Sequence, residues 1–115
     1  MRTVLLVDDS PVARRVLARR LASAGFVVNE TSSADIARET DPTSLTCAIL
    51  DLELGDVDGT DVAAALLDRR ATLPIAFFSA GASQVLLDRA RARGPVFDKP
   101  DVDAIVDWVL RTAND

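Results

Sequence analysis

Asp8 and Asp9 stand side by side directly after the apolar run Thr3-Val4-Leu5-Leu6-Val7. Asp51 closes a second apolar run, Cys47-Ala48-Ile49-Leu50, and Lys99 comes just after a third, Val96-Phe97, with Pro100 next in the chain. Each charge falls where a buried strand would run out, and in an open α/β sheet ligands bind at the carboxyl ends of strands. With parallel neighbouring strands, three carboxylates and one ammonium converge on one pocket. Two carboxylates about 4 Å apart repel by roughly 4 kcal/mol at an effective dielectric of about 20, so the cluster calls for a cation. Oxygen ligands of this kind suit Mg²⁺ or Mn²⁺, with a phosphate group completing the shell.

The chain has no histidine, no tyrosine and one cysteine. That excludes a His-based catalytic triad, an HExxH zinc site and a phosphohistidine carried by this chain. Its chemistry is expected to centre on carboxylates. A length of 115 residues corresponds to one domain with a single core flanked by helices. The net charge of −5 argues against DNA as a direct partner, because phosphate binding favours a basic surface. Cys47 lies in an apolar run and reads as a small core residue, compatible with the cytoplasm. No apolar run approaches the roughly 20 residues that span a bilayer. Asp8-Asp9 interrupts the first apolar segment too early for a signal peptide.

Short continuous apolar runs alternate with longer amphipathic stretches, the pattern of βαβ units around a parallel sheet. The first strand is Thr3 to Val7. Ser10-Pro11 opens a helix, serine as N-cap and proline where a missing N–H costs nothing. Ala13, Val16, Leu17 and Leu21 recur at helical spacing, Arg14, Arg15, Arg19 and Arg20 take much of the remaining surface, and Gly25 ends the helix. Phe26 to Asn29 reads as a strand, and Ser33 to Glu39 as a short helix closed before Asp41-Pro42. Leu45 to Leu50 is the third strand, Gly55 to Gly59 a loop, and Thr60 to Arg70 an alanine- and leucine-rich helix. Pro74 to Phe78 is the fourth strand and Ser83 to Arg93 the fourth helix. Pro95 to Phe97 is a very short fifth strand, and Asp101 to Thr112 a terminal helix. These five βα units leave no linker, repeat or low-complexity segment.

Asp8-Asp9, Asp51, Ser79 after Ile75-Ala76-Phe77-Phe78, and Lys99-Pro100 together resemble the receiver domain of two-component response regulators, and Asp58-Gly59 matches the turn after that family's phosphoacceptor loop. Five elements fall in the right order at the right distances from Val4 to about Leu110. The resemblance implies a doubly wound, flavodoxin-like (βα)5 sandwich with a five-stranded parallel sheet of order 2-1-3-4-5. It implies one stand-alone receiver over residues 1–115 with no output domain. Asp51 would be the phosphoacceptor nucleophile, forming an acyl phosphate. Asp9 would hold the divalent cation more directly and Asp8 partly through water, with Asp51 and the backbone carbonyl of Glu53 completing the protein ligands. Lys99 would set a fixed positive charge against the phosphoryl oxygens. The family's Lys–Pro bond is characteristically cis, and the Ser79 hydroxyl would turn inward to the phosphoryl group.

Some positions depart from that pattern. Gly55 stands where the family often has proline, which would loosen the loop. Glu53 adds a negative charge at the mouth of the site. Val96 occupies the place of the aromatic switch residue, and Phe97 should face the other side of the strand. A switch must then act through the Ser79–Ser83 loop and the fourth helix. The expected partners are a sensor histidine kinase or histidine phosphotransfer protein and a downstream target protein, with no DNA and no membrane, the chain being a monomer or weak homodimer. Arg14 and Arg15 would dock an acidic face of the phosphodonor, or else form a solvated helix face. The chain would catalyse only its own phosphorylation and dephosphorylation, so it would not otherwise be an enzyme. The alternative is a receiver-fold interaction module that works without phosphorylation. A phosphatase of the haloacid dehalogenase type fits less well, since it wants Asp-x-Asp after the first strand and this chain has Asp51-Leu52-Glu53 after the third. Neither GxxxxGK[ST] nor GxGxxG is present for nucleotide binding.

Overall fold

The computed structural model describes residues 2–114. Its strands are β1 (Thr3–Val7), β2 (Val27–Thr31), β3 (Leu45–Asp51), β4 (Glu53–Leu54), β5 (Val57–Asp58), β6 (Ile75–Ser79) and β7 (Val96–Asp98). Its helices are α1 (Pro11–Ser23), α2 (Ala34–Glu39), α3 (Gly59–Arg69), α4 (Gln84–Arg91) and α5 (Val102–Ala113). Five parallel strands build the main sheet in the order β2-β1-β3-β6-β7. With the small β4-β5 pair set aside, this is the doubly wound flavodoxin-like order 2-1-3-4-5. The strand order reverses between β1 and β3, where such sheets open a crevice at their carboxyl ends.

The alternation along each strand divides the core into two layers. Val4, Leu6, Cys47, Ile49 and Phe78 pack under α1 and α5, against Leu17, Leu21, Ile105 and Val109. Leu5, Val7, Ala48, Leu50 and Phe77 face α2, α3 and α4, against Ala37, Val62, Leu66 and Ala90. A fully buried leucine such as Leu21 or Leu66 contributes roughly 2 kcal/mol. Two filled layers therefore stabilise the fold enough to carry a pair of buried carboxylates. Cys47 is fully buried and its thiol is pushed up to about 12 by desolvation, so it is an inert core residue.

Several boundaries shift from the sequence reading. Phe26 precedes β2 rather than opening it; its N–H donates to the Leu21 carbonyl in the turn after Gly25 (φ 97°), and its ring is buried. Strand β2 runs on to Thr31 as a largely exposed edge. β6 and β7 each extend one residue further, to Ser79 and Asp98. The main correction concerns residues 53–59, read as a loop from Gly55. Here β4 and β5 pair antiparallel, Glu53 opposite Asp58 and Leu54 opposite Val57, around a two-residue turn at Gly55-Asp56. Gly55 has φ +63°, which proline cannot adopt, so glycine here specifies a tight hairpin rather than a looser loop. Asp58 then caps α3, its Oδ1 accepting from the Thr60 N–H and hydroxyl at 2.8 Å each. No helix among the described residues is long and apolar enough to cross a membrane.

Candidate functional site

The last residue of β3 is Asp51, and the chain leaves β1 at Asp8, so the central strand pair delivers two carboxylates to the crevice. Main-chain bonds fix their backbones. The Asp8 N–H donates to the Thr31 carbonyl (3.1 Å), the Leu52 N–H to the Phe78 carbonyl (3.2 Å), and the Lys99 N–H to the Ser79 carbonyl (3.0 Å). Lys99 then reaches across the sheet end, its Nζ 2.9 Å from Asp51 Oδ2 and 3.2 Å from Asp8 Oδ1. The ammonium also lies 5.3 Å from the centroid of the Phe78 ring, close enough for a cation–π contribution. The Lys99–Pro100 bond is trans, as are all peptide bonds among the described residues, so the cis bond that the resemblance implied is not found.

Asp8 is fully buried and Asp51 is 3% exposed, whereas Asp9 stands exposed beside them. Asp51 Oδ1 accepts from the Glu53 N–H at 3.0 Å, and Asp8 Oδ1 from the Ser10 N–H at 3.0 Å. Desolvation, and then the neighbouring Asp8 carboxyl, push the Asp51 carboxyl up to about 6 against the opposing pull of Lys99. Burial alone would lower Lys99, but its bonds and charge attraction to Asp51 and Asp8 outweigh this and hold it above the ordinary lysine value. The ammonium is thus charged at neutral pH.

The arrangement fits a hard divalent cation. Asp8, Asp9 and Asp51 each offer a carboxylate oxygen, all within 4.8 Å of one another. Asp8 Oδ2 is buried without a hydrogen-bond partner, and a buried acceptor left unpaired costs about 1–3 kcal/mol. One ammonium is too little charge for three carboxylates, and the donor set is oxygen only.

Ser79 is buried at the end of β6, yet its Oγ accepts from the Gly81 N–H (3.1 Å) and the Ala82 N–H (3.0 Å). It therefore clasps the following loop and does not turn toward Asp51 in this structure. Glu53 is exposed and begins β4, with only its N–H bonded to the Asp51 carboxylate. Gly59 is required by a close approach: a Cβ there would lie 2.2 Å from the Asp51 carbonyl oxygen, and its N–H donates to the Leu52 carbonyl at 2.9 Å. Val96 packs with the α2–α4 layer and Phe97 with the α1–α5 layer, opposite faces as the strand period requires. Beside them a groove of about 300 Å³ opens between Ser79, Ala82, Leu87 and Val96.

Two contributors escaped the sequence reading. Arg89 of α4 pairs with Asp58 Oδ2 at 2.9 Å, tying that helix to the turn behind Asp51. Arg14, expected on the exposed face of α1, instead folds back: its Nη1 donates to the Asp8 carbonyl at 2.7 Å and its Nε lies 3.4 Å from Glu30 Oε1. Arg20 is paired with Asp103 at 2.6 Å. No motif spacing flags these contacts, because each joins side chains across separate elements.

Residues 4–97 match the model of the response regulator receiver domain. No curated protein sequence matches the chain. Among solved structures, a response regulator receiver protein from Pseudoalteromonas atlantica is similar with a TM-score of 0.86 and 21% identity, over 97% of both chains. The response regulator TrrA from Thermotoga maritima, solved with Mg²⁺ and BeF, gives 0.81 and 22%, over 97% of this chain and 99% of that one. A response regulator from Burkholderia pseudomallei, solved with a phosphorylated aspartic acid and a calcium ion, gives 0.78 and 24%, over 99% and 69%. With the family model spanning most of its length and the acidic crevice at the expected strand ends, this chain belongs to the response regulator receiver domain family.

Proposed function

We propose that Asp51 accepts a phosphoryl group from the phosphohistidine of a sensor kinase or histidine phosphotransfer protein. The observation that carries this reading is Lys99 Nζ bridging Asp51 and Asp8 while a buried oxygen of Asp8 keeps no partner. A carboxylate oxygen of Asp51 attacks phosphorus, the O–P bond forms as the donor's N–P bond breaks, and the imidazole leaves with the bonding pair and takes up a proton. Asp8, Asp9, Asp51 and the Glu53 carbonyl would hold Mg²⁺ or Mn²⁺, which when bound offsets the repulsion between carboxylates and phosphoryl oxygens. Lys99 lies close enough to pass from the carboxylate to a phosphoryl oxygen on Asp51. The Glu53 N–H, already on Asp51 Oδ1, holds the nucleophile in orientation. The chain turns over no other substrate. The relatives solved with a phosphorylated aspartic acid and with Mg²⁺ and BeF support this chemistry by likeness of fold.

Intact-mass measurement after exposure to acetyl phosphate tests it. One phosphoryl mass is expected with Mg²⁺, mapping to Asp51, and none in chelator. No addition with Mg²⁺ or with Mn²⁺ in its place would leave the chain an interaction module that works without phosphorylation.

The state would be passed on through the loop after β6. A phosphoryl group on Asp51 offers the Ser79 hydroxyl a charged acceptor, and hydrogen bonds to charged groups are stronger than neutral ones. Rotation of Ser79 toward it releases the Gly81 and Ala82 N–H groups. Beryllofluoride is expected to shift the amide NMR signals of Gly81, Ala82 and the start of α4 more than those around Val96. A silent loop would refute this route. For docking a protein donor, Arg15 and Arg19 are the α1 arginines left exposed without an ion pair among the described residues. Their reversal to glutamate should slow transfer from a kinase and spare reaction with acetyl phosphate.

A further inference from the structure

We propose that Arg14 is a positioning residue of the cation site, acting through the backbone carbonyl of Asp8; this rests on the metal-dependent reading above. The Asp8 N–H is tied to β2 through the Thr31 carbonyl (3.1 Å), and the carbonyl is tied to α1 through Arg14 Nη1 (2.7 Å). With Oδ1 engaged by the Ser10 N–H and Lys99, three of the four polar atoms of Asp8 are fixed. The fourth, Oδ2, is buried and unpartnered. Holding every other atom of a residue leaves that oxygen preset for a ligand, with little ordering left to be done on binding.

Arg14 itself is anchored. Its Nε lies 3.4 Å from Glu30 Oε1, and its side chain is 22% exposed. The planar guanidinium uses separate edges for the carboxylate and the carbonyl, which a lysine ammonium cannot reproduce in the same geometry. Without the arginine, the Asp8 carbonyl loses a charge-assisted donor beneath α1, and the turn carrying Asp8-Asp9 is held at one end only.

The sign of the effect separates this role from plain electrostatics. Removing a positive charge near a dication site should tighten binding, whereas loss of positioning weakens it. Mn²⁺ binding to the full chain, followed by electron paramagnetic resonance at a temperature where circular dichroism shows each variant folded, is the measurement. Arg14→Gln is expected to weaken Mn²⁺ binding about tenfold, with Arg14→Lys recovering part of the loss. Glu30→Gln, which leaves the bond to the Asp8 carbonyl in place, should stay near the unaltered protein. The NMR signal of the Asp9 amide, which shares its peptide group with that carbonyl, should move in Arg14→Gln and hold still in Glu30→Gln. Equal or tighter binding in Arg14→Gln, or an equal loss in Glu30→Gln, would overturn the inference while leaving the cation site standing. Absence of Mn²⁺ binding to the unaltered chain would overturn both.

Discussion

Asp51→Asn is expected to abolish phosphorylation and, in metal-free buffer at neutral pH, to make the protein more stable. The two effects share one cause. The site holds its nucleophile in a buried position where ionisation is unfavourable, so the carboxyl rises from an ordinary 3.8 to about 6. Between those two values the folded state binds more protons at Asp51 than the unfolded chain does. Stability is therefore greatest on the acid side and falls as pH rises through that window. Once Asp51 is ionised, the penalty is on the order of 3 kcal/mol. Asparagine keeps the shape, removes the charge and cannot form an acyl phosphate. Urea unfolding in chelator should give the variant a gain of roughly 3 kcal/mol at pH 7 that largely disappears as the pH approaches 4. Adding Mg²⁺ should narrow the gap by stabilising the ionised carboxylate. A variant no more stable than the parent at pH 7 would contradict the buried-charge account, and one that still gains phosphoryl mass would contradict the nucleophile.

Lys99→Met should have the opposite effect on stability. Methionine keeps most of the length and apolar body of the side chain but leaves Asp51 and Asp8 without their shared ammonium, at 2.9 and 3.2 Å. Breaking one partner from a buried ion pair typically costs about 3–5 kcal/mol, and Lys99, 19% exposed, should come near the lower end. The loss should shrink as pH falls toward 6, because without the ammonium Asp51 takes up its proton at a higher pH than in the parent, and it should shrink again with Mg²⁺, which supplies positive charge to the same carboxylates. Mass addition from acetyl phosphate should slow by about a hundredfold, the usual result of removing one preorganised charge donor. A Lys99→Met protein as stable as the parent in chelator at pH 7 would mean that the lysine does not neutralise the pair.

Much of this was legible from residue order because the signals are local. Ser10-Pro11 marks the entry to α1, and the apolar runs ending at Val7, Leu50 and Phe78 bring Asp8, Asp51 and Ser79 to one end of a parallel sheet. The β4-β5 hairpin was not legible, since two-residue strands are too short to show an alternating pattern and Gly55-Asp56 reads equally as loop. Phe26 reads as part of β2 because it is hydrophobic, although it fills the core from a turn. The outward clasp of Ser79 and the inward fold of Arg14 depend on which of several reachable acceptors wins, and that choice is made in three dimensions. The same holds for the trans bond at Lys99-Pro100: Lys99 reaches Asp51 regardless.

The three cross-strand bonds at the sheet end set where this molecule can yield. The amides of Asp8, Leu52 and Lys99 each donate to the neighbouring strand, so the crevice has a stiff rim that opens only when the sheet itself parts. The margin beyond that rim is held differently: the Ser79 clasp by two neutral bonds, and α4, besides its buried Ala90, by a surface pair between Arg89 and Asp58 that salt will screen. In hydrogen-exchange terms the rim amides are expected to be protected longer than those of the margin. A charge placed at the rim can thus be felt at the margin without loosening the place where it was written.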